Sequence, residues 1–252
     1  METNVWEYEF VGFCRDMTNK NTAIGMDVER LFKNSIRRQR DVLNTLRAYF
    51  AIEGEFGTSF STGTDAGKSD VILRFSDGRS LSVNIKAFKA GFNQVTRSRI
   101  ETFCRELGLD ELVITFQEAA VRVAGKAGRF ILSEDESRVL SVLGPLARKI
   151  LQFSLVRQEG SELLVLYDRS TNTMLLYDMK QLLDNLDCKV SFSNRGIIRI
   201  GEYFTIQRKG GNGVHSQNIP KTSLDHPGNN LQVKMNIRKF VRYVAPIITY
   251  TP

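Results

Sequence analysis

The sequence predicts an α/β (α+β) fold, a mixed central β-sheet flanked by helices and joined to a strand-rich, basic C-terminal lobe. Three observations lead there. Val28, Leu31, Phe32, Ile36, Leu43, Leu46 and Phe50 recur largely at spacings of three, four or seven, which gives one apolar face to a helix over Gly25–Phe50. Val71–Phe75 and Leu81–Phe88 read as strands joined by Ser76-Asp77-Gly78-Arg79, where Asp-Gly tolerates the positive φ of a tight turn. From Leu163 onward, short strand-like runs alternate with turn residues.

Each element follows in order. Arg37, Arg38, Arg40 and Arg47 occupy much of the first helix's polar side, and Gly54 and Gly57 stop it. A polar, glycine-bearing loop over Gly63–Lys68 precedes the first strand. Ser98–Leu107 is a short helix with Ile100, Phe103, Cys104 and Leu107 on one side, and Glu111–Phe116 is read as a strand. Ser133-Glu134-Asp135-Glu136 matches a capping box and opens a helix towards Phe153, which Gly144-Pro145 should kink or interrupt. Leu163–Tyr167 and Met174–Tyr177 pair as a hairpin across Ser170-Thr171-Asn172-Thr173, and Met179–Leu186 is a brief helix. Lys189–Phe192, Ile197–Ile200, Tyr203–Arg208 and Leu231–Ile237 are strands, with the polar run from Gly210 to Asn230 a loop. Phe13, Phe32, Phe103 and Phe153 match apolar periods and belong to the core.

Composition removes several classes. A chain of 252 residues, 42% hydrophobic and 25% charged, can bury a sizeable core without disulfide or metal staples. No apolar run approaches the roughly 20 residues of a membrane-spanning helix, and the N-terminus lacks the basic start and apolar stretch of a signal peptide. Cys14, Cys104 and Cys188 are odd in number and far apart, so free thiols in a reducing compartment are expected. With only His215 and His226 and no Cys-x-x-Cys pair, a structural zinc site has no ligands to build on. Gly67-Lys68-Ser69 lacks the glycine spacing of a phosphate loop and precedes a strand, so a nucleotide cofactor is not expected either.

Charge is unevenly placed. Lys189–Pro252 holds ten Lys/Arg and two acids, a net +8, while the first 188 residues hold 25 and 26, a net −1. Such asymmetry fits a polyanionic partner, nucleic acid above all, against the alternative of a merely soluble basic surface.

The residues with the strongest chemical content lie on the first hairpin. Asp70 stands at the mouth of one strand. Asn84 and Lys86, two apart on the next, point to one face. A carboxylate, an amide oxygen and an ammonium around one spot suit phosphodiester hydrolysis, where oxygen ligands hold a divalent cation and a lysine stabilises the transition state. The same pattern also occurs on solvated hairpin edges with a salt bridge.

Lys68-Ser69-Asp70-Val71 followed by Asn84-Ile85-Lys86 resembles the PD-(D/E)xK nuclease core, in the form with an amide in place of the second acid. That form is similar to the small monomeric type II restriction endonucleases of the HinP/MspI kind. Gly91-Phe92-Asn93-Gln94, Ser191-Phe192-Ser193-Asn194-Arg195-Gly196, Thr205-Ile206-Gln207-Arg208-Lys209-Gly210-Gly211 and Leu231-Gln232-Val233-Lys234 extend the resemblance across roughly Gly25–Lys234, with little between Glu118 and Asp187. The chain departs in a shorter Asp70-to-Asn84 hairpin and a longer loop from His215 to Asn229.

The resemblance implies Mg2+ bound by Asp70, Asn84 and Glu29, with Asp70, Asn84 and Lys86 catalytic. Glu29 on the first helix has the alternative of a surface charge beside Arg30. It implies double-stranded DNA as partner, contacted by Asn93, Gln94, Gln207, Arg208, Lys209 and Lys234. Asn93 and Gln94 are read as short-loop amides suited to base edges or to filling a gap in the duplex, and Lys209 is open to a phosphate role instead. Residues 1–125 form a catalytic core and 126–252 a DNA-recognition lobe sharing it. A type II restriction endonuclease cutting a short GC-containing site, GCGC by resemblance, is the expected activity. A monomer in the bacterial cytoplasm, with a cognate DNA methyltransferase as its genetic partner, completes the expectation. A repair nicking endonuclease on the same core, or a catalytically silent DNA-binding regulator, are the alternatives.

Overall fold

The computed structural model describes residues 20–61, 70–89, 91, 93–126, 128–155, 162–211 and 218–252. Helices α1 (Lys20–Arg38) and α2 (Arg40–Tyr49) lead into strands β1 (Phe56–Ser61), β2 (Val71–Phe75), β3 (Ser80–Phe88) and β4 (Asn93–Ser98). Helix α3 (Ile100–Leu107), a 3-10 turn at Asp110–Leu112, α4 (Val113–Arg122) and α5 (Glu136–Leu155) follow. Next come β5 (Glu162–Asp168), β6 (Thr173–Asp178), α6 (Met179–Asn185), β7 (Val190–Phe192), β8 (Ile198–Ile200) and β9 (Phe204–Arg208). A second 3-10 turn at Pro227–Asn229, β10 (Leu231–Met235), α7 (Ile237–Tyr243) and β11 (Ile248–Tyr250) complete the order.

The fold is mixed α/β. A six-stranded sheet, β1-β2-β3-β5-β6-β11, is antiparallel except where β3 runs parallel to β5. A five-stranded sheet, β4-β10-β9-β8-β7, is antiparallel throughout. Each sheet takes strands from both halves of the sequence. Strand alternation then sorts the core. Leu81, Val83 and Ile85 of β3 join Val28, Phe32, Ile36, Val42, Leu43 and Leu46 of α1 and α2 in one apolar cluster. Phe88, on the other face of β3, joins the cluster built by α3, α4, α5 and the inner face of the five-stranded sheet. No helix among the described residues is long and apolar enough to cross a membrane.

Five expectations are corrected. The helix read over Gly25–Phe50 is two helices, because Gln39 leaves the helical region at φ −92° and ψ 74°. The break re-phases the apolar stripe so that Ile36 and Val42, six residues apart, both reach the same sheet. Glu111–Phe116 is not a strand. Its β-branched run Val113-Ile114-Thr115 looked strand-like, but Leu112, Phe116, Ala119 and Ala120 are fully buried at helical spacing, and that burial decides for α4. Of the kink or interruption expected at Gly144-Pro145, the interruption is absent, since α5 runs through Pro145, which lies with Ser141 on the exposed side where water can serve the carbonyl it frees. Asn93 and Gln94 belong to β4, not to a short loop, and pair with Met235 and Lys234. Ile237 opens helix α7 where a strand was expected to continue, with the Asn236 side chain capping it through the Lys239 backbone N–H.

The expected hairpin turn is present, with Gly78 at φ 84°. Cys104 is buried and free, its thiol pushed up to about 12 by burial, and Cys188 is half-buried and free. Phe32 and Phe103 are buried and Phe153 partly so. Phe13, Cys14, Gly63–Lys68, Ser69 and His215 lie outside the described residues.

Candidate active site and nucleic-acid interface

Asp70 closes the β2–β3 ladder with both main chain and side chain. Its N–H donates to the Val83 carbonyl at 2.9 Å. Its Oδ2 accepts from the Ile85 N–H at 2.6 Å, a short, charge-assisted bond. Since Val71 pairs with Val83, the next register step sets Asp70 across from Asn84. The carboxylate is thereby held against β3 between the two side chains expected to work with it.

Asn84 and Lys86 project from the face of β3 opposite Val83 and Ile85. Asn84 is 3% exposed, and its Nδ2 is buried without a hydrogen-bond partner among the described residues. An unsatisfied buried amide costs about 1–3 kcal/mol. Lys86 is half-buried.

Glu29 reaches the same place from α1. Burial pushes its carboxyl above the usual glutamate range, and the Asp70 charge adds to the rise. The ammonium groups of Lys33 and Lys86, and a hydrogen bond with Ser61, pull the other way. Lys33 Nζ in turn donates to Ser61 Oγ at 2.8 Å. Arg30 pairs with Asp27 at 3.9 Å. The Glu29 and Asp70 carboxylates and the Lys33 and Lys86 ammonium groups thus interact where β2 begins, with Asn84 across the ladder from Asp70. Among the described residues no three His, Cys, Asp or Glu side chains gather as a metal cluster. Here the third oxygen donor is the Asn84 amide, and an all-oxygen set of this kind is what a hard divalent cation takes. A cation would offset the Glu29–Asp70 repulsion, so the residues present fit such an ion.

A second candidate surface is the open face of the five-stranded sheet. Ile198, Ile200, Phe204, Ile206, Leu231, Val233 and Met235 point into the core. Alternation therefore turns Arg199, Thr205, Gln207, Gln232 and Lys234 outward. The register lines them up across strands. Ser191, Arg199, Thr205, Lys234 and Gln94 form one row, and Gln207, Gln232 and Arg97 the next. Gln94, Arg97 and Arg199 are exposed, whereas Gln232 is buried and donates to the carbonyls of Arg208 and Lys209, each at 3.3 Å.

Gln207 and Lys234 therefore share a face, with Gln94 beside them. Arg208 turns the other way, as alternation requires, and its Nε donates to Asn229 Oδ1 at 2.6 Å. Lys209 follows the strand, held below the usual lysine value by burial and by Arg97 and Arg208 nearby. For Asn93 the backbone is placed opposite Met235.

Sequence reasoning passed over Lys33, Ser61, Arg97, Arg199 and Asn229. Lys33 was detectable as the i+4 partner of Glu29 on one helix face. Arg199 was detectable from its position between Ile198 and Ile200. Ser61, Arg97 and Asn229 carried no local signal, since only the tertiary pairing brings them in.

No protein-family model matches the chain, and no curated protein does. Among solved structures, it is similar to a crystal structure of the restriction endonuclease MspI in complex with its cognate DNA, with a TM-score of 0.49 and 14% sequence identity over 83% of each chain.

Proposed function

We propose that the chain is a magnesium-dependent, site-specific DNA endonuclease of the type II restriction class. Its substrate is double-stranded DNA bearing a short GC-containing site, GCGC being the sequence the motif resemblance implies. The observation that carries this reading is the interaction of Glu29 with Asp70 and Lys86 where Asp70 is held against the Ile85 N–H, between Asn84 and Lys86 on β3.

Asp70, Asn84 and Glu29 would hold the ion through oxygen. Bound there, Mg2+ lowers the pKa of water and neutralises charge on the scissile phosphate. Lys86 presents its ammonium to the same phosphate, where it orients the attacking water by hydrogen bonding and stabilises the charge that develops on the equatorial oxygens. The Asp70 bond to the Ile85 N–H keeps the carboxylate in one rotamer, so little reorganisation is needed during the reaction. Arg97, Arg199, Lys209 and Lys234 supply phosphate contacts that set register. Gln94 and Gln207 are the base-edge candidates on the open face, and Arg208, which turns the other way, is a separate candidate at the end of β9. Among the described residues there is one such constellation, which suits a monomer that cuts the two strands in turn. A methyltransferase of the same specificity is its genetic partner.

The test is incubation of the purified chain with supercoiled plasmid of known sequence and Mg2+, followed by sequencing of the ends. Cuts at one repeated short motif, through an open-circle intermediate, support the proposal. Nicks confined to mismatches would move the chain to repair, and binding without cleavage would make it a regulator.

A further inference from the structure

Arg208 is not a free surface side chain. Its Nε is engaged by Asn229 Oδ1 at 2.6 Å, and its terminal nitrogens make no hydrogen bond among the described residues. Asn229 is 1% exposed and its amide orientation is fixed. Its Nδ2 donates to the carbonyls of Lys221 at 2.9 Å and Ser223 at 2.5 Å, so the oxygen must face Arg208. The turn that carries Asn229 is pinned as well. His226, 2% exposed, accepts the Gly228 N–H on Nδ1 at 2.9 Å. Gly228 O accepts from the Gly210 N–H at 2.9 Å, and Asn230 O from the Lys209 N–H at 2.8 Å. Nothing larger than glycine fits at 228, because a Cβ there would lie 2.8 Å from Gly211 O and 2.9 Å from His226 Nδ1. A planar guanidinium is therefore clamped at one edge, and its outer edge makes no hydrogen bond among the described residues. Arg97 and Arg208 both act on Lys209, and Arg208, Lys209 and Lys221 all act on His226; none of the four cations is in an ion pair among the described residues. The acid of this loop, Asp225, is taken by Arg99 at 3.0 Å.

We propose that Asn229 is a positioning residue that holds the Arg208 guanidinium by its Nε and so pre-orients the outer edge for nucleic acid, a role that rests on the DNA-binding reading above. Pre-orientation matters because fixing a long side chain only at the moment of binding costs affinity. Asn229 itself touches no DNA.

The test is a double-mutant cycle on the full chain, read by fluorescence anisotropy with a short labelled GCGC-bearing duplex in EDTA. Arg208→Ala should weaken binding roughly tenfold. Asn229→Ala should weaken it about 2- to 10-fold. The double variant should bind no more weakly than Arg208→Ala, since the second change removes nothing once the arginine is gone. A purely structural Asn229 would lower affinity by the same factor in both backgrounds, and that result, or no loss on Arg208→Ala, overturns the proposal. Failure of the wild type to bind the duplex would instead overturn the DNA-binding reading beneath it. If Asn229→Ala does not fold, the Nε–H resonance of Arg208, assigned by its loss in Arg208→Lys, decides in the free protein. Slow exchange with solvent supports the clamp, and exchange as fast as that of exposed Arg38 refutes it.

Discussion

Replacing Asp70 separates its structural role from its chemical one. Asp70→Asn keeps an oxygen that can accept from the Ile85 N–H but removes the charge, whereas Asp70→Ala removes both. Leaving the half-buried Ile85 N–H without its partner costs about 1–3 kcal/mol. In a chain of this size that lowers Tm by roughly 2–12 °C for Asp70→Ala. Asp70→Asn should stay close to wild type in Tm, and it should also let the Glu29 carboxyl move back towards its ordinary value, because the Asp70 charge helps hold it up. Activity should not follow stability. Loss of a direct ligand should weaken the site for Mg2+ at least as much as loss of an outer-shell partner does, about 100-fold at the upper end. Thermal melts in EDTA and plasmid cleavage across a Mg2+ titration measure the two effects. Cleavage by Asp70→Asn at more than a tenth of the wild-type rate at equal Mg2+ would refute the ligand assignment. An unchanged Tm for Asp70→Ala would refute the structural one.

Lys86→Ala should slow cleavage by about 10²–10³ while lowering the salt slope of duplex binding by at most about one; cleavage rates and binding at two salt concentrations check both. For Glu29, a raised carboxyl means a contribution to stability that is present below its unfolded pKa and lost as pH rises through the folded one. Glu29→Gln in EDTA should therefore be at least as stable as wild type at neutral pH, with the difference shrinking on acidification, yet inactive; melts from acid to neutral pH read it. Pro145→Ala should raise stability by up to about 3 kcal/mol, since proline in a helix interior forfeits a hydrogen bond and crowds the preceding turn; denaturant melts measure it.

Much of the fold could be read from the chain because local pattern and tertiary burial agree there. The β2–β3 and β5–β6 hairpins, α3 and α6 combine a clear period with a turn or cap residue at the right place, while α5 follows its period but starts at Glu136, whose side chain pairs with Arg129 instead of closing a capping box with Ser133. Where they disagree, burial wins. The Val113-Ile114-Thr115 run is strand-like by propensity, but Phe116, Ala119 and Ala120 need a helix to reach the core together. Strands β1, β4 and β11 are legible only in their partners. Phe56–Ser61 is mostly polar and glycine-bearing, and it forms because β2 offers a free edge. The site shows the same division. Asp70, Asn84 and Lys86 fall within one hairpin, so strand alternation alone places them. Glu29 comes from a helix more than forty residues earlier in the chain, and nothing local ties it to Asp70. The difference between Gln207 and Arg208 was implicit in their adjacency, but the partner that turns Arg208 into a clamped side chain, Asn229, lies across a loop.

The central claim is that Asp70, Asn84 and Glu29 form the metal-binding end of a DNA-cleaving site. Its most direct test is a crystal of the full Lys86→Ala chain grown with a GCGC-bearing duplex and Mn2+, with anomalous scattering recorded at the manganese edge. The account predicts a peak contacted by Asp70 and Asn84 oxygens and by a phosphate of the duplex, with the open face of the five-stranded sheet against the DNA. A manganese peak remote from Asp70 and Asn84, with the duplex seated elsewhere, would contradict it.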